Sequence, residues 1–409
     1  YSSAASDVYK RQTQLYASSF TLRHQFQISS PSLYTYFPTS QRFFSKTTLF
    51  PFSMSATFAQ QLLRTLLLPL AWCYDGATRL RNWAFDHGHL PTQRFNIPII
   101  GVGNLAVGGT GKTPHTQWIV EQLLQMDKRV AVLSRGYGRK TRGFRLISPT
   151  SIANEVGDEP LQLFRHFAER NFIGAVCEKR ALGIQTLLQL DVPPEVIVLD
   201  DAFQHRYVSP GLNLLLTDYS HTYDNDSLLP AGRLRENARG AIRADVIIVT
   251  KCPQTLSVTQ QNAKSAALRS IHPLKPTEEE LPIFFTTIGY PPLPAVKEAL
   301  LITGIANPSP LVRHLEAQGI RVKHLAFADH HHFSAADCAH IIEQSTHYST
   351  IFTTEKDAVR LEQLNLPQNI RKKIKPIPIT VQVLFEQSEA LRQIIQRYVS
   401  SNSRNRTVD

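Results

Sequence analysis

Apolar residues come in short continuous runs that alternate with segments of helical periodicity. Such runs predict buried strands, and the i, i+3, i+4 patterns between them predict helices. The predicted strands lie near 97–103, 129–134, 195–200, 212–217 and 245–250, and the predicted helices lie near 113–126, 158–170 and 179–190. Because alternating strands and helices indicate βαβ units, we expect residues 89–281 to form a doubly wound, mostly parallel α/β sheet.

A Pro-rich stretch from Pro282 to Pro294 interrupts this periodicity, and we interpret residues 282–298 as a linker. Beyond it the alternation resumes. The predicted strands there are 299–303, 321–326 and 349–354, and the predicted helices are 308–318, 334–346 and 386–399. The pattern predicts a second, smaller α/β domain over residues 299–399, with a frayed polar tail at 400–409.

The first 53 residues differ from the rest, since they are poor in acids and rich in Ser, Thr and aromatic side chains. We interpret residues 1–53 as non-native or upstream sequence, with an organelle leader as the alternative. In either case we expect them to be disordered and leave them out of the fold.

An apolar stretch punctuated by arginines follows at residues 54–88. Its uncharged run between Arg64 and Asp75 is well short of the ~20 residues that a membrane-spanning helix needs. One interpretation is an amphipathic helix lying in the membrane interface, with Trp and Arg at the depth of the headgroups. The alternative is a helix packed on the domain core.

Composition narrows the class of protein. The chain has 409 residues, of which 42% are hydrophobic and 19% charged, as in a soluble globular protein. Its four cysteines form no CxxC pair, which argues against a disulfide framework or a zinc site. The formal net charge of +11 favours anionic partners. No basic run interleaved with aromatic residues is present, so we expect no nucleic-acid binding.

A glycine-rich segment follows the first predicted strand of the large sheet. It comprises Ala106, Val107, Gly108, Gly109, Thr110, Gly111, Lys112 and Thr113. The glycines allow consecutive N–H groups to converge on phosphate oxygens at a helix N-terminus. Lys112 would then reach the β- and γ-phosphates, and the Thr113 hydroxyl would bind Mg²⁺. Apart from Ala106, which replaces the first glycine, the segment matches a phosphate-binding P-loop.

A dinucleotide-binding fingerprint, G-x-G-x-x-A, overlaps this segment at residues 101–106. That fold needs a helix to begin at once, but Gly108 and Gly109 interrupt it. It also needs an acidic residue after the next strand, where Ser134 and Arg135 stand instead. The nicotinamide interpretation is therefore weak.

Acidic residues follow the strand near 195–200. Asp200 and Asp201 end this apolar run, where a carboxylate can hold Mg²⁺ directly or through water. Together with the P-loop, they make nucleotide phosphate chemistry the favoured interpretation.

Two further sites carry candidate acid–base groups. In Gly-Asp-Glu-Pro (157–160), Asp158 either caps the following helix or faces the γ-phosphate. In the tract 330–332, three adjacent histidines point in different directions, so one His acting as partner to a carboxylate is more plausible than a metal site. Arg180 and Arg233 stand in or beside loops, where guanidinium groups can hold phosphoryl oxygens, although a solvated Arg is the simpler interpretation of either alone.

Together these strings resemble the tetraacyldisaccharide 4′-kinase family, the kinases of the lipid A disaccharide. In order, the matching strings are VGNLAVGGTGKTP (102–114), SRGYGR (134–139), GDEP (157–160), DDAFQH (200–205), LPAGRLRE (229–236), FADH (327–330) and TEKD (354–357). The resemblance runs from about residue 60 to about residue 398. Its departures are the leader and Ala202, where many members carry Gly.

The resemblance implies transfer of the γ-phosphoryl group of ATP to the 4′-hydroxyl of a tetraacylated disaccharide 1-phosphate during lipid A synthesis. It also implies a monotopic protein at the cytoplasmic face of the bacterial inner membrane, and we expect a monomer. The implied roles are triphosphate binding for Lys112 and Thr113, metal binding for Thr113, Asp200, Asp201 and Glu159, base and partner for Asp158 and His330, and phosphate or substrate placement for Arg180 and Arg233.

Two other functions remain open from the residues alone. One is a soluble P-loop kinase for a small metabolite. The other is a nucleotide-switch protein of the GTPase type, which usually reads guanine with an Asn/Thr-Lys-x-Asp string. The string here is Thr250-Lys251-Cys252-Pro253, whose Pro replaces the guanine-binding Asp and disfavours the switch.

Overall fold

The structure is a computed structural model that describes residues 56–272, 280–329, 331 and 333–404. Residues 1–53 and His330 lie outside the described residues. The chain forms two compact units. Of the described residues, 56–80 and Asp226–Asn237 belong to the first, and Arg81–Asn225 together with those from Ala238 to Arg404 belong to the second.

Helix α1 (Ala56–Asp86) supplies most of the first unit. Its exposed side chains include Leu66, Leu70, Trp72 and Leu80. Tyr74 donates a hydrogen bond to the carbonyl oxygen of Arg235, which holds segment 226–237 to the helix. Among the described residues, no helix combines the length and apolar character that crossing a bilayer requires.

The second unit contains a nine-stranded sheet. In chain order its strands are β1 (Ile99–Asn104), β2 (Val130–Ser134), β3 (Arg145–Leu146), β4 (Phe172–Val176), β5 (Val196–Asp200), β6 (Leu212–Asp218), β7 (Val246–Thr250), β8 (Ile283–Gly289) and β13 (Thr380–Val383). Their order across the sheet is β13-β8-β7-β6-β1-β5-β2-β4-β3. Only the outer pairs β13–β8 and β3–β4 are antiparallel. The prediction of a doubly wound, mostly parallel sheet is confirmed.

The inner strands are buried on both faces, because helices cover the sheet from both sides. The helices of this part of the chain are α2 (Lys112–Gln125), α3 (Ala153–Val156), α4 (Asp158–Phe167), α5 (Arg180–Leu188), α6 (Val258–Arg269) and α11 (Ser388–Arg404). One core combines strand residues with Ile119 of α2 and Ile395 of α11, whereas the other combines them with Ile184 of α5. This double coverage explains why the strands read as unbroken apolar runs.

A separate sheet of four parallel strands lies between β8 and β13 in the chain. Its strands are β9 (Glu298–Thr303), β10 (Arg321–Ala326), β11 (Ile351–Thr354) and β12 (Ile374–Ile377), in the order β10-β9-β11-β12. Its helices are α7 (Ser309–Ala317), α8 (Ala335–Ser345), α9 (Glu355–Leu361) and α10 (Gln368–Arg371). Apolar clusters cover both faces of this small sheet.

The boundaries between the two sheets differ from the expected ones. The expected linker 282–298 contains β8, since Ile283, Phe284 and Phe285 are buried and only the residues after Gly289 lose periodicity. The expected small domain, 299–399, includes β13 and α11, which return to the large sheet. Residues 400–404, assigned to the tail, continue α11. The boundary predicted from the proline content therefore lies before β8, whereas the structure places it after β8.

Candidate active site

The glycine-rich segment connects β1 to α2, and buried side chains of β7 and α2 hydrogen-bond to its main chain. Gly108 and Gly111 have φ values of 103° and 81°, in the left-handed region that favours glycine. Thr250, at the end of β7, donates a hydrogen bond to the carbonyl oxygen of Thr110 at 2.9 Å. Nδ1 of the buried His115 lies 2.7 Å from the carbonyl oxygen of Gly111. These two hydrogen bonds anchor the carbonyl groups of Thr110 and Gly111 to residues outside the loop.

The predicted phosphate-binding residues Ala106 to Thr113 all lie in this loop or in the first turn of α2, which begins at Lys112. The Lys112 side chain is 13% exposed, and its Nζ lies 3.6 Å from Oδ1 of Asp201. It also lies 3.5 Å from Oδ1 of Asn104. The lysine therefore stands between the loop and the acids at the end of β5.

Asp200 is the last residue of β5 and is buried. Its carboxylate accepts hydrogen bonds from the hydroxyls of Thr116 and Ser134. Burial, followed by the charges of Glu159 and Asp201, raises the pKa of Asp200 to about 6 against the opposing effect of nearby cations. Asp201 itself has a φ of 50°, a strained conformation that costs of order 1 kcal/mol. Crowded carboxylates of this kind favour a bound cation.

Magnesium fits this donor set. Mg²⁺ is usually held by one or two carboxylates together with substrate phosphates and water, rather than by a cage of protein ligands. Within the ranges that the structure describes, no group of three or more His, Cys, Asp or Glu side chains has a metal-binding arrangement.

Arg180 lies beneath this acidic edge. Its side chain is almost fully buried, and burial lowers its pKa to about 10. It donates hydrogen bonds to the carbonyl oxygens of Cys177 and Asp200, at 2.6 and 3.1 Å. The structure therefore gives Arg180 main-chain contacts that support the end of β5. Arg233 belongs to the first unit, where its Nε lies 2.8 Å from Asp226 Oδ2.

Asp158 is the first residue of α4, and the residue that caps this helix is Gly157. The capping interpretation of Asp158 therefore does not hold. Gly157 has a φ of 94°, and a Cβ there would lie 2.9 Å from the Tyr137 carbonyl oxygen, so the loop after β2 packs directly on the start of α4. The Asp158 carboxylate accepts hydrogen bonds from Nε and Nη2 of Arg360, at 2.8 and 2.7 Å.

Of the predicted catalytic residues, His330 lies outside the described residues. Its neighbour His331 lies between Phe327 and Phe333, with Nε2 2.9 Å from Oδ2 of Asp337. These contacts give His331 a packing role within the small-sheet part of the chain.

Sequence reasoning missed Arg360 and the buried residues that support the loop, His115 and Thr250. Thr250 was considered only as part of a guanine-binding string, and His115 carries no motif. Arg360 has a usable signal, since it lies three residues after the Asp of TEKD and therefore on the same face of α9.

A glycine loop ending in a lysine at a helix N-terminus, beside two acids at the end of the neighbouring strand, defines the phosphate site of a P-loop kinase. Comparisons with known proteins identify the family of this kinase. The sequence model of the family described as Tetraacyldisaccharide-1-P 4′-kinase matches residues 63–400, and the chain belongs to this family.

Among similar proteins, the tetraacyldisaccharide 4′-kinase of Bacteroides fragilis (strain YCH46) is 44% identical over 363 residues, covering 83% of this chain and 94% of its own length. That of Cytophaga hutchinsonii is 38% identical over 358 residues, covering 84% and 98%. A crystal structure of LpxK from Aquifex aeolicus in complex with ATP superimposes with a TM-score of 0.63 at 27% identity, covering 82% of this chain and 99% of that one. The family expected from the motifs is confirmed, and with it the expectation of a kinase.

Proposed function

We propose that the chain transfers the γ-phosphoryl group of ATP to the 4′-hydroxyl of a tetraacyldisaccharide 1-phosphate in lipid A synthesis. The observation that carries this proposal is the contact between Lys112, on the glycine loop, and Asp201, at the end of β5, in a chain of this family. Phosphoryl transfer needs positioning and charge neutralisation more than covalent chemistry, and these groups provide both.

The loop amides from Ala106 to Gly111 would hold the phosphates, with Lys112 neutralising charge that develops on the transferred group. Thr113 and acids from the set Asp200, Asp201 and Glu159 would hold Mg²⁺, which when bound supplies further charge neutralisation. Arg180 would keep the main chain of Asp200 in place for this role, consistent with its buried hydrogen bonds.

Asp158 is proposed as the base that accepts the proton of the attacking hydroxyl. Its place at the start of α4, beside Glu159, supports this role, because Glu159 is near enough to raise the pKa of Asp200. By family resemblance His330 would be its partner, and Arg233 would help to place substrate.

Helix α1 supports a peripheral association with the cytoplasmic face of the bacterial inner membrane. Its exposed Leu66, Leu70 and Trp72 are the apolar side chains that an interfacial helix buries among lipid headgroups. An acylated substrate could then stay in the bilayer while its sugar enters the site. We propose a monomer that does not bind nucleic acid.

The activity is tested by incubating the protein with labelled ATP, Mg²⁺ and the detergent-dispersed disaccharide. A product heavier by one phosphate is expected, and a panel of nucleotides and small acceptors tests the metabolite kinase and the switch protein. Asp158→Ala should lower kcat by orders of magnitude with the fold intact, because it removes the proton acceptor. Turnover close to wild type in Asp158→Ala would remove it as the base.

Membrane association is tested by co-sedimentation with anionic lipid vesicles. Replacing Leu66, Leu70 and Trp72 with Ser should release the protein from vesicles. Leu146→Ser is the matched control, since Leu146 is an exposed apolar residue of the second unit. Equal binding of both variants would contradict the role proposed for α1.

A further inference from the structure

We propose that Arg360 is a positioning residue for phosphoryl transfer, which fixes the Asp158 carboxylate by one oxygen and leaves the other for the substrate hydroxyl. This inference rests on the proposed function, in which Asp158 is the base. Because Arg360 lies on α9, the small-sheet part of the chain would contribute to the orientation of the base.

The contact has the geometry of a directed hydrogen bond pair. Nε and Nη2 of Arg360 lie 2.8 and 2.7 Å from the same oxygen, Oδ2 of Asp158. Among the described residues, Oδ1 of Asp158 has no hydrogen-bond partner. A carboxylate in the first turn of a helix can otherwise rotate about χ1 and χ2. Two charge-assisted hydrogen bonds to one oxygen limit this rotation and give the second oxygen a defined direction.

The Arg360 guanidinium is also fixed through its third nitrogen, Nη1. Nη1 of Arg360 lies 3.2 Å from Oδ1 of Asp357 and 3.3 Å from the carbonyl oxygen of Gly304. Asp357 is fully buried, and its Oδ2 accepts hydrogen bonds from the Gly304 amide and the Thr354 hydroxyl. Each group that holds Arg360 is therefore held by another, and the guanidinium has little freedom to move.

The residues that fix Arg360 lie at the carboxyl edge of the small sheet. Gly304 directly follows β9, and Thr354 is the last residue of β11. Because β9 and β11 are parallel neighbours, their carboxyl ends lie side by side. Arg360 is 8% exposed although it carries a full charge. Burying a charge in this way is costly unless it is paired, and Asp357 and Asp158 provide the pairing.

The expected effect follows from the cost of misplacing a reacting group, since an error of about 1 Å can lower the rate by about 10²-fold. Arg360→Met should therefore lower kcat by about 10- to 100-fold, with the KM for ATP changed less than about twofold, because the phosphate loop is untouched. Arg360→Lys keeps the charge but loses the paired hydrogen bonds, so its kcat should fall between those of Arg360→Met and the wild type.

A matched control is available on the same pair of helices. Arg165, on α4, forms an ion pair with Glu362 at the end of α9. Arg165→Gln breaks this second contact between the two helices without touching the Asp158 carboxylate, and kcat should remain near wild type. Thermal unfolding of all variants reports stability separately. If Arg360→Met fails to fold, Arg360→Lys, which still neutralises Asp357, carries the test.

A double-mutant cycle decides whether Arg360 acts through Asp158. In an Asp158→Asn background the base is already absent, so Arg360→Lys or Arg360→Met should cause little further loss of kcat. A loss of equal factor in both backgrounds would overturn the proposal, because it would show a general structural effect. Wild-type or faster turnover in both Arg360 variants would overturn it as well.

The cycle also separates this proposal from the proposed function. If Asp158→Asn is inactive while the Arg360 variants turn over normally, the positioning role fails and the base assignment stands. If Asp158→Asn itself keeps wild-type turnover, the base assignment fails, and the role of Arg360 fails with it.

Discussion

The two sheets of the second unit each have a buried aspartate at their carboxyl edge, but the two carboxylates have different partners. At the carboxyl edge of the large sheet, Asp200 is buried beside two other acids, and its pKa is raised to about 6. At the carboxyl edge of the small sheet, Asp357 is also buried, but its oxygens accept hydrogen bonds from Gly304, Thr354 and Arg360. Asp200 is therefore only partly compensated, by two hydroxyls and by nearby cations, whereas both oxygens of Asp357 have hydrogen-bond partners within the protein.

The difference shows what a ligand site requires. Parallel strands bring polar groups together at their carboxyl ends in both sheets. Where these groups satisfy one another, as around Asp357, they form a rigid support. Where they do not, as around Asp200, they remain available to a cation and to phosphate. Both clusters lie at the carboxyl edge of a parallel sheet. Whether such a cluster supports the fold or binds a ligand depends on how far its charges are paired within the protein.

The largest expected effect concerns the large sheet. Lys112→Ala should lower kcat by roughly 10² to 10³-fold, because it removes a cation directed at the transferred phosphate. Lys251→Ala is the control, since Lys251 follows β7 at the same edge but pairs with Asp218. The measurement is phosphate transfer at saturating ATP, and similar losses in both variants would contradict a specific role for Lys112.

The next effect is on stability and concerns the small sheet. Asp357→Ala should lower the free energy of unfolding by about 3–5 kcal/mol, because it leaves Arg360 buried without its inner partner. Asp337→Ala is a matched control, since Asp337 holds the same position after its helix cap, Ser334, but is partly exposed. Its loss should be about 1 kcal/mol, as measured by urea unfolding.

Strands β1, β2, β5, β6, β7, β9, β10 and β11, the phosphate loop and the acids after β5 could be predicted from the sequence because each depends on a local pattern. The other features depend on contacts between distant residues. Strand β4 was missed because Gly174 interrupts its apolar run, and β13 was missed because it is recognisable only by its pairing with β8. The contact between Asp158 and Arg360 joins residues 202 positions apart.

A smaller effect with the opposite sign is expected at Asp200. Asp200→Asn should raise the free energy of unfolding by about 1–3 kcal/mol, because it removes a buried charge while keeping groups that hydrogen-bond to Thr116 and Ser134. Asp218→Asn, at the end of β6, should bring no gain, since it loses the ion pair with Lys251. The measurement is unfolding in the presence of a chelator and without nucleotide. Destabilisation by Asp200→Asn would show that its carboxylate is already compensated.

The smallest effect concerns the contact between α4 and α9 away from Asp158. The hydrogen bond to Glu355 raises the pKa of His166 despite opposing burial, with Glu121 adding to the rise and Arg170 opposing it. The stabilisation is therefore present below the ordinary pKa of about 6.5 and is lost as pH rises through the raised value in the folded state.

His166→Gln should remove roughly 0.5 kcal/mol of this pH dependence, a modest amount because the ring is a third exposed. Unfolding free energies at about pH 5.5 and pH 8.5 provide the measurement. His347→Gln, which changes an exposed histidine, should leave the dependence as it is. An unchanged pH dependence in His166→Gln would contradict the assignment.

The return of the chain to the large sheet has a consequence for synthesis on the ribosome. The Tyr398 hydroxyl lies 3.0 Å from both the amide nitrogen and the carbonyl oxygen of Ile99, at the start of the strand that leads into the phosphate loop. Leu391 and Ile395 complete the same apolar core. The apolar core behind the phosphate loop can therefore be completed only after α11, the last described helix of the chain, has been synthesised.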